Sequence, residues 1–367
     1  MPAIEKAWVF PGFVDVHVHF RDPGVPAAET TASGLEAARR GGMGAVVTMP
    51  NTTPPIDTPE SVVAHLPPRD RNVASPLAAA SNLTGDTQRG RDIPVACKNG
   101  VLLLTSACIT RGRLGHEVAD LEALAEAGAA FFTDDGAYVA DAKVLEEAMR
   151  RAYDLNRVVS QHALAPGLSE ADCIRRDLSI CRETGCRYHV QHISTAEGVA
   201  LVRAAQAEGL PVTAEATPHH LLLCQDDIPG DDGNFKMAPP LATAEDRAEV
   251  RKAVKDGVLM FATDHAPHPA ATKNCGYAKA ANGIIGLETA IPITYHVMVE
   301  EEGMSVESWA RAWWQLPLDI LPPGTVVPGQ TKVALFSEPR TVDVASFASL
   351  SRNCPYGGMK FRAWPVV

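Results

Sequence analysis

The chain has 367 residues, 46% hydrophobic and 21% charged, with a net charge of −11. That length suits one large domain or two smaller ones and can bury a sizeable core without covalent staples. The acidic balance and the lack of a basic stripe argue against nucleic acid as a partner, although one buried arginine can reverse the local field for a small anion.

The eight cysteines, at 97, 108, 173, 181, 186, 224, 275 and 354, form no C-x-x-C pair. Neither a zinc ribbon nor a dithiol redox motif is expected, and the pattern reads as reduced thiols of a cytoplasmic protein. The first residues lack a basic stretch followed by an apolar core, so no signal peptide is expected. No run of about 18 apolar residues predicts a membrane span.

Short β-rich runs alternate with helical stretches. FVDVHVH (13–19) leads through a helix over 30–40 to GAVVTMPN (44–51). GVLLLTSA (100–107), a helix near 117–127 and AFFTDD (130–135) come next. Helices near 142–155 and 170–184 precede VVSQH (158–162) and YHVQH (188–192). A helix over 196–208 leads to PVTAEATPHHLLL (211–223), and one over 245–255 to VLMFATD (258–264).

Eight strands rich in Val, Ile, Leu and Ala, separated by helices, predict a parallel sheet covered on both faces. Eight such units over about 250 residues predict the α/β class and a (β/α)8 TIM barrel. A doubly wound open sheet is the competitor that repeat counting leaves open. The barrel is expected over 11–315, with a loop insertion at 67–99. A C-terminal tail over 316–367 is expected to contribute to an incomplete small β satellite at the termini.

The chemistry begins at His17-Val18-His19. Side chains alternate along a strand, so Asp15, His17 and His19 are expected on one face, with the histidines near its C-terminal end. Two imidazoles there make a natural start for a metal site. The pattern recurs at other strand ends: Asp134-Asp135-Gly136, His162, His192 and Asp264. In a barrel these positions share the C-terminal mouth, where catalytic groups gather. Four histidines and two aspartates exceed what one zinc needs and suit two metals bridged by a carboxylate, an arrangement that makes a nucleophile from water near neutral pH. Nitrogen and oxygen donors without thiols favour Zn, with Mn or Co as substitutes. Local spacing alone leaves Asp134 and Asp135 as alternatives.

FVDVHVHFRDPG (13–24) and ATDHAPHPAATK (262–273) resemble the two signature segments of the dihydroorotases, within the amidohydrolase superfamily. MPNTTPPIDTPE, the stretch ending in FFTDDGA, VQHISTAEG, VTAEATPHHLLL and NGIIGLETAIP resemble that family in the same order, and the likeness runs from about 11 to 353. It is strongest to the members with an Asp in the bridging position. The resemblance implies reversible cyclisation of N-carbamoyl-L-aspartate to L-dihydroorotate in pyrimidine synthesis. By position, His17, His19 and Asp264 would hold one zinc, His162 and His192 the other, and Asp135 would bridge them. Asp264 would also take a proton from the attacking water and return it to the leaving ring nitrogen. Arg21, Asn51 and His268 would form the site for the substrate carboxylate, the planar fork of Arg21 suiting it well.

The chain also departs from the family. It begins almost on the first barrel strand and is expected to lack the usual final strands. The segment between His162 and His192 is shorter than in typical relatives, and Ala238 and Ala242 stand where many have Asn and Arg. His219 and His220 carry no clear ligand role, His189 is expected to face away from the site, and Trp313-Trp314 reads as packing. Lys273 has no assigned chemistry. The alternatives are another cyclic-amide hydrolase, such as a hydantoinase or allantoinase with a carboxylated Lys bridge, and a non-catalytic subunit of a transcarbamoylase complex. A homodimer is the expected assembly, with aspartate transcarbamoylase a further partner by family analogy.

Overall fold

The computed structural model describes residues 3–66, 96–98 and 100–366. A strand, β1 (Ile4–Pro11), comes first, followed by β2 (Phe13–Val18) and β3 (Met43–Thr48). The hairpin partners β4 (Ala96–Lys98) and β5 (Val101–Thr105) pair antiparallel, with Cys97 opposite Leu102. Then come β6 (Phe132–Thr133), β7 (Val159–Gln161), β8 (Tyr188–Val190), β9 (Val212–Ala216) and β10 (Met260–Phe261). Two last strands are β11 (Gln330–Thr341) and β12 (Lys360–Pro365).

Parallel ladders join β2, β3 and β5 in one run and β6 through β10 in another. Parallel bridges from Ala107 to Phe132 and from Val18 to His265 connect the runs at both ends. Eight parallel strands therefore close on themselves, and the open-sheet alternative falls.

Helices between the strands begin where the sequence offers caps. Thr30, Ser169 and Thr243 each accept a backbone N–H from the residue three further on, forming capping boxes at Thr31–Arg40, Glu170–Thr184 and Ala244–Lys255. Alternate strand residues sort into two cores. Val14, Val16, Ala45, Val47, Leu102 and Leu104 fill the barrel interior together with Ile320 and Leu321. Phe13, Val46 and Leu103 instead belong to the layer packed against the helices. Trp313 is buried there, its ring 5.0 Å from that of Phe261, and its Nε1–H donates to Thr294. It serves packing, as expected.

The structure corrects several expectations. Ile4–Pro11 is a strand that pairs antiparallel with β11, and β11 pairs with β12, so a three-stranded sheet stands beside the barrel. Its register matches Trp8 to Val333, and Trp8 meets Tyr295 with ring centroids 5.8 Å apart. The run at 211–223 splits at Thr217, which caps a short helix, Pro218–Leu222. Within the expected insertion, 67–95 and 99 lie outside the described residues, and 96–98 are strand rather than loop. Helices at Pro59–His65, Ala290–Tyr295 and Val306–Trp314 had no counterpart in the sequence reading.

Candidate metal centre

The barrel geometry delivers donors to one point. His17 lies in β2 and His19 just after it, and His162 follows β7 directly. Asp135, His192 and Asp264 sit in the first residues beyond β6, β8 and β10. His192 and Asp264 adopt left-handed backbone conformations, with φ of 30° and 48°. Such conformations are uncommon without glycine and concentrate at functional sites, because the surrounding structure must impose them.

His17 Nε2 is 3.4 Å from Asp135 Oδ1 and 3.5 Å from Asp264 Oδ1. His19 Nε2 is 2.9 Å from Asp264 Oδ1 and 3.3 Å from Asp135 Oδ2. On the other side of Asp135, His162 Nδ1 and His192 Nε2 are each 3.8 Å from Oδ1 and 2.9 Å from one another. Among the described residues, two clusters could hold a metal: His17, His19 and Asp264, and His17, Asp135 and His192.

The donors fit a cation. His17 Nε2 is buried without a hydrogen-bond partner, and the paired nitrogens of His162 and His192 would share a positive centre better than each other. Burial disfavours charge on His17, yet Glu215, Asp135 and Asp264 raise its pKa well above the ordinary value. The field at this point attracts positive charge.

A second layer fixes the imidazoles. His17 Nδ1 lies 2.5 Å from Glu215 Oε1, and His19 Nδ1 2.9 Å from Asn51 Oδ1. When each Nδ1–H donates outward, each Nε2 lone pair faces the centre. Asn51 also donates from Nδ2 to the backbone and side-chain oxygens of Asp135, at 3.3 and 3.2 Å. Its amide therefore braces two of the donors, a role the sequence did not suggest.

Asp15 and Asp134 do not join the cluster. The register between β2 and β3 slips between Asp15 and Val18, which breaks the simple alternation. Asp15 instead accepts from the Thr263 backbone N–H and hydroxyl at 3.1 and 2.6 Å. Asp134 accepts from the backbone N–H groups of Ile109 and Thr110, at 2.8 and 3.1 Å, and from the Thr110 hydroxyl. The choice between Asp134 and Asp135 is thus a choice between a loop clamp and a member of the cluster.

A cavity of about 590 Å³ opens on the centre, lined in part by Arg21, Asn51, Arg113, Ala238 and His268. Arg21 Nε donates to Pro267 O at 3.1 Å, and its NH2 groups have no hydrogen-bond partner among the described residues. His268 is held by its N–H to Asn353 Oδ1 at 3.1 Å and by Nε2 to Asn282 O at 2.7 Å. Burial, then Arg21, push its pKa down to about 4, so it is neutral at pH 7.

Several contributors escaped sequence reasoning. His189 faces the interior, its Nε2 3.0 Å from Glu215 Oε2, which corrects the expectation that it turns away. Lys273 is buried, and its ammonium donates to the carbonyls of Lys236, Ala281 and Gly283 at 3.0, 2.8 and 2.8 Å, tying down the wall that carries Asn282 and Gly283. His219 and His220 are buried nearby; His220 bonds Thr217 and Pro239 O. Only the alternation of Glu215 with Thr213 on β9 could have marked Glu215 as inward-facing.

Residues 8–312 match the amidohydrolase family, and the chain belongs to it. It is 39% identical to the dihydroorotase of a Geobacillus species, covering 97% of this chain and 84% of the relative. It is 38% identical to that of Bacillus subtilis, covering 98% and 85%. Its place within the family is among the dihydroorotases, which are cyclic amidohydrolases of pyrimidine biosynthesis. Solved structures share the fold. An L-hydantoinase from Arthrobacter aurescens superposes with TM-score 0.77 at 24% identity, covering 98% of this chain and 83% of that one. A dihydroorotase from Saccharomyces cerevisiae in complex with 5-fluoroorotic acid gives 0.74 at 17%, covering 98% of each.

Proposed function

We propose that this dihydroorotase interconverts N-carbamoyl-L-aspartate and L-dihydroorotate at a centre for two zinc ions. His17, His19 and Asp264 would hold one ion, His162 and His192 the other, with Asp135 between them. The observation that carries the reading is the placement of Asp135 between the two pairs of imidazoles. Divalent ions bound there would supply Lewis acidity, polarising the amide carbonyl and making water a nucleophile near neutral pH.

The protein's own groups do the rest. Asp264 has its pKa raised by burial but more strongly lowered by His17 and His19, to about 2, so it is an ionised carboxylate able to accept a proton. It takes the proton of the attacking water and passes it to the ring nitrogen as the C–N bond breaks; ring closure runs the same steps backwards. Arg21 and His268 hold the carboxylate of the substrate, and Asn51 lies between that site and the donors.

Among the described residues no lysine lines the cavity, which supports an Asp bridge over a carboxylated Lys and speaks against a hydantoinase-type centre. The presence of every expected ligand speaks against a non-catalytic subunit. The reading extends to a cytoplasmic homodimer, with aspartate transcarbamoylase as a second partner. It is supported by seven unpaired cysteines among the described residues and by Ile4 and Val9, which are more than half exposed on β1.

The direct test assays zinc-loaded protein on dihydroorotate, hydantoin and allantoin side by side, with Asp264→Asn as control. Turnover should be confined to dihydroorotate and be abolished in both directions by the substitution. Faster hydrolysis of either other ring, or an active Asp264→Asn protein with full metal, would refute it.

A further inference from the structure

Arg113 lines the cavity beside the metal centre, although nothing in its surrounding sequence, TRGRLG, marked it. The turn that carries it is built with care. Gly112 and Arg113 both adopt φ of 59°, a left-handed conformation that glycine tolerates and arginine rarely takes. Four hydrogen bonds hold the turn in place. Asp134 accepts from Ile109 and Thr110 at its start, Gly112 N–H donates to Asp57 Oδ2 at 2.7 Å, and Gly115 N–H donates to Thr110 Oγ1 at 2.9 Å. A strained residue held this firmly is being aimed.

The side chain so aimed makes no hydrogen bond or ion pair among the described residues. Arg113 Nε is buried and unpaired, and among the described residues its guanidinium enters no ion pair. A Cβ built on Gly136 would lie 3.8 Å from an Arg113 NH2 nitrogen and 3.2 Å from Asn51 Nδ2, so the guanidinium stands beside Asn51 at the rim of the Asp135 turn. Burial disfavours charge on Arg21, Asp264 and Asp135 favour it, and Arg113 adds a smaller repulsion. Two guanidinium groups thus share one cavity, and among the described residues neither is in an ion pair, although the Asp134 carboxylate acts on Arg113, and those of Asp264 and Asp135 on Arg21, from further off. Both side chains are half-buried, open guanidinium donors are costly to withdraw from water, and an anion bound between the two would satisfy both.

We infer that Arg113 is a second guanidinium contact for the carboxylate of the substrate and sets the preference of the cavity for anionic over neutral cyclic ureides. Arg21 approaches from the Pro267–His268 side and Arg113 from the Gly136 side. The inference rests on the dihydroorotase reading for the identity of the anion. Its geometry requires only that the occupant carry a carboxylate.

The test compares zinc-loaded wild type, Arg113→Gln and Arg113→Lys. Calorimetry measures the binding of orotate, a planar ring with the same carboxylate, and uracil, the ring without it, serves as a competitive inhibitor. Steady-state rates are taken on dihydroorotate. Arg113→Gln should bind orotate at least about tenfold more weakly, with the kinetic loss falling on KM and part of it recovered in Arg113→Lys. Inhibition by uracil, or its absence, should be the same in all three proteins, as should zinc content and the unfolding midpoint. Orotate affinity within twofold of wild type in Arg113→Gln overturns the inference. So does an equal loss for both rings, which would make Arg113 a wall of the cavity only, and so does a wild type that binds no orotate. Should wild type bind orotate through Arg113 yet leave dihydroorotate intact, the anion site stands and the assigned reaction falls.

Discussion

Glu215 Oε1 lies 2.5 Å from His17 Nδ1 while its other oxygen lies 3.0 Å from His189 Nε2, so one buried carboxylate ties a member of the candidate metal centre to a histidine outside it. Burial opposes ionisation of Glu215, but His17 and His189 hold its pKa far below the ordinary value. It therefore acts as an anion, orienting His17 and strengthening its Nε2 as a donor. Glu215→Gln should weaken metal affinity by roughly 10–100-fold and leave the fold intact. Competition with a graded series of chelators reads this directly, and excess zinc should restore much of the activity. Unchanged affinity would remove Glu215 from this role.

The neighbouring aspartates should separate cleanly. Asp135→Ala is expected to lose at least one zinc per chain, measured by elemental analysis after dialysis. Asp134→Ala should keep both ions but loosen the Ile109–Thr110 loop, costing roughly 1–3 kcal/mol because buried N–H groups lose their acceptor. Reconstitution should not depend on bicarbonate, since no lysine lines the cavity among the described residues. The opposite pattern in the two variants would reverse the assignment.

Arg21→Lys keeps the charge but loses the planar fork. With Nε already engaged by Pro267 O, recognition rests on the two NH2 groups, whose paired geometry an ammonium cannot reproduce. The expected cost in kcat/KM is ~2–4 kcal/mol with zinc content unchanged. A variant within twofold of wild type would take Arg21 out of the carboxylate site.

His220, which is not among the proposed metal donors, offers a pH test. Burial, then the nearby His192, push its pKa down to about 4 from an ordinary value of 6.5, so the folded state holds it neutral. Its contribution to stability is complete above pH 6.5 and is lost as the pH falls towards 4, because the unfolded chain takes up the proton first. For a single group this is on the order of 3 kcal/mol. Denaturant titrations of metal-free protein at pH 7 and pH 4 should show that His220→Gln loses less stability on acidification than wild type. Equal losses would mean that His220 already binds its proton in the fold.

The amino-acid sequence by itself determined the layered α/β alternation, because the period of hydrophobic residues and the capping residues act over a few positions. It also determined the candidate donor types at the strand ends: each of His17, His19, Asp135, His162, His192 and Asp264 stands at or just beyond a strand, where a parallel barrel must present it. What lies across the barrel was decided only by tertiary structure. Closure depends on β2 meeting the residues after β10, a pairing between positions some 245 apart in the chain, as His19 and Asp264 are. No local pattern carries it. The same holds for Glu215 behind His17 and for Asn51 between His19 and Asp135, whose partners come from other strands. Asp15 failed the alternation rule because of a register slip within β2 and β3, and Arg113 was invisible because a turn held by Asp134 and Asp57, not a motif, aims it. The strand Ile4–Pro11 was missed for a related reason. It is largely exposed and has little amphipathic pattern of its own, and its pairing with β11 becomes possible only after the barrel has brought the two ends of the chain together.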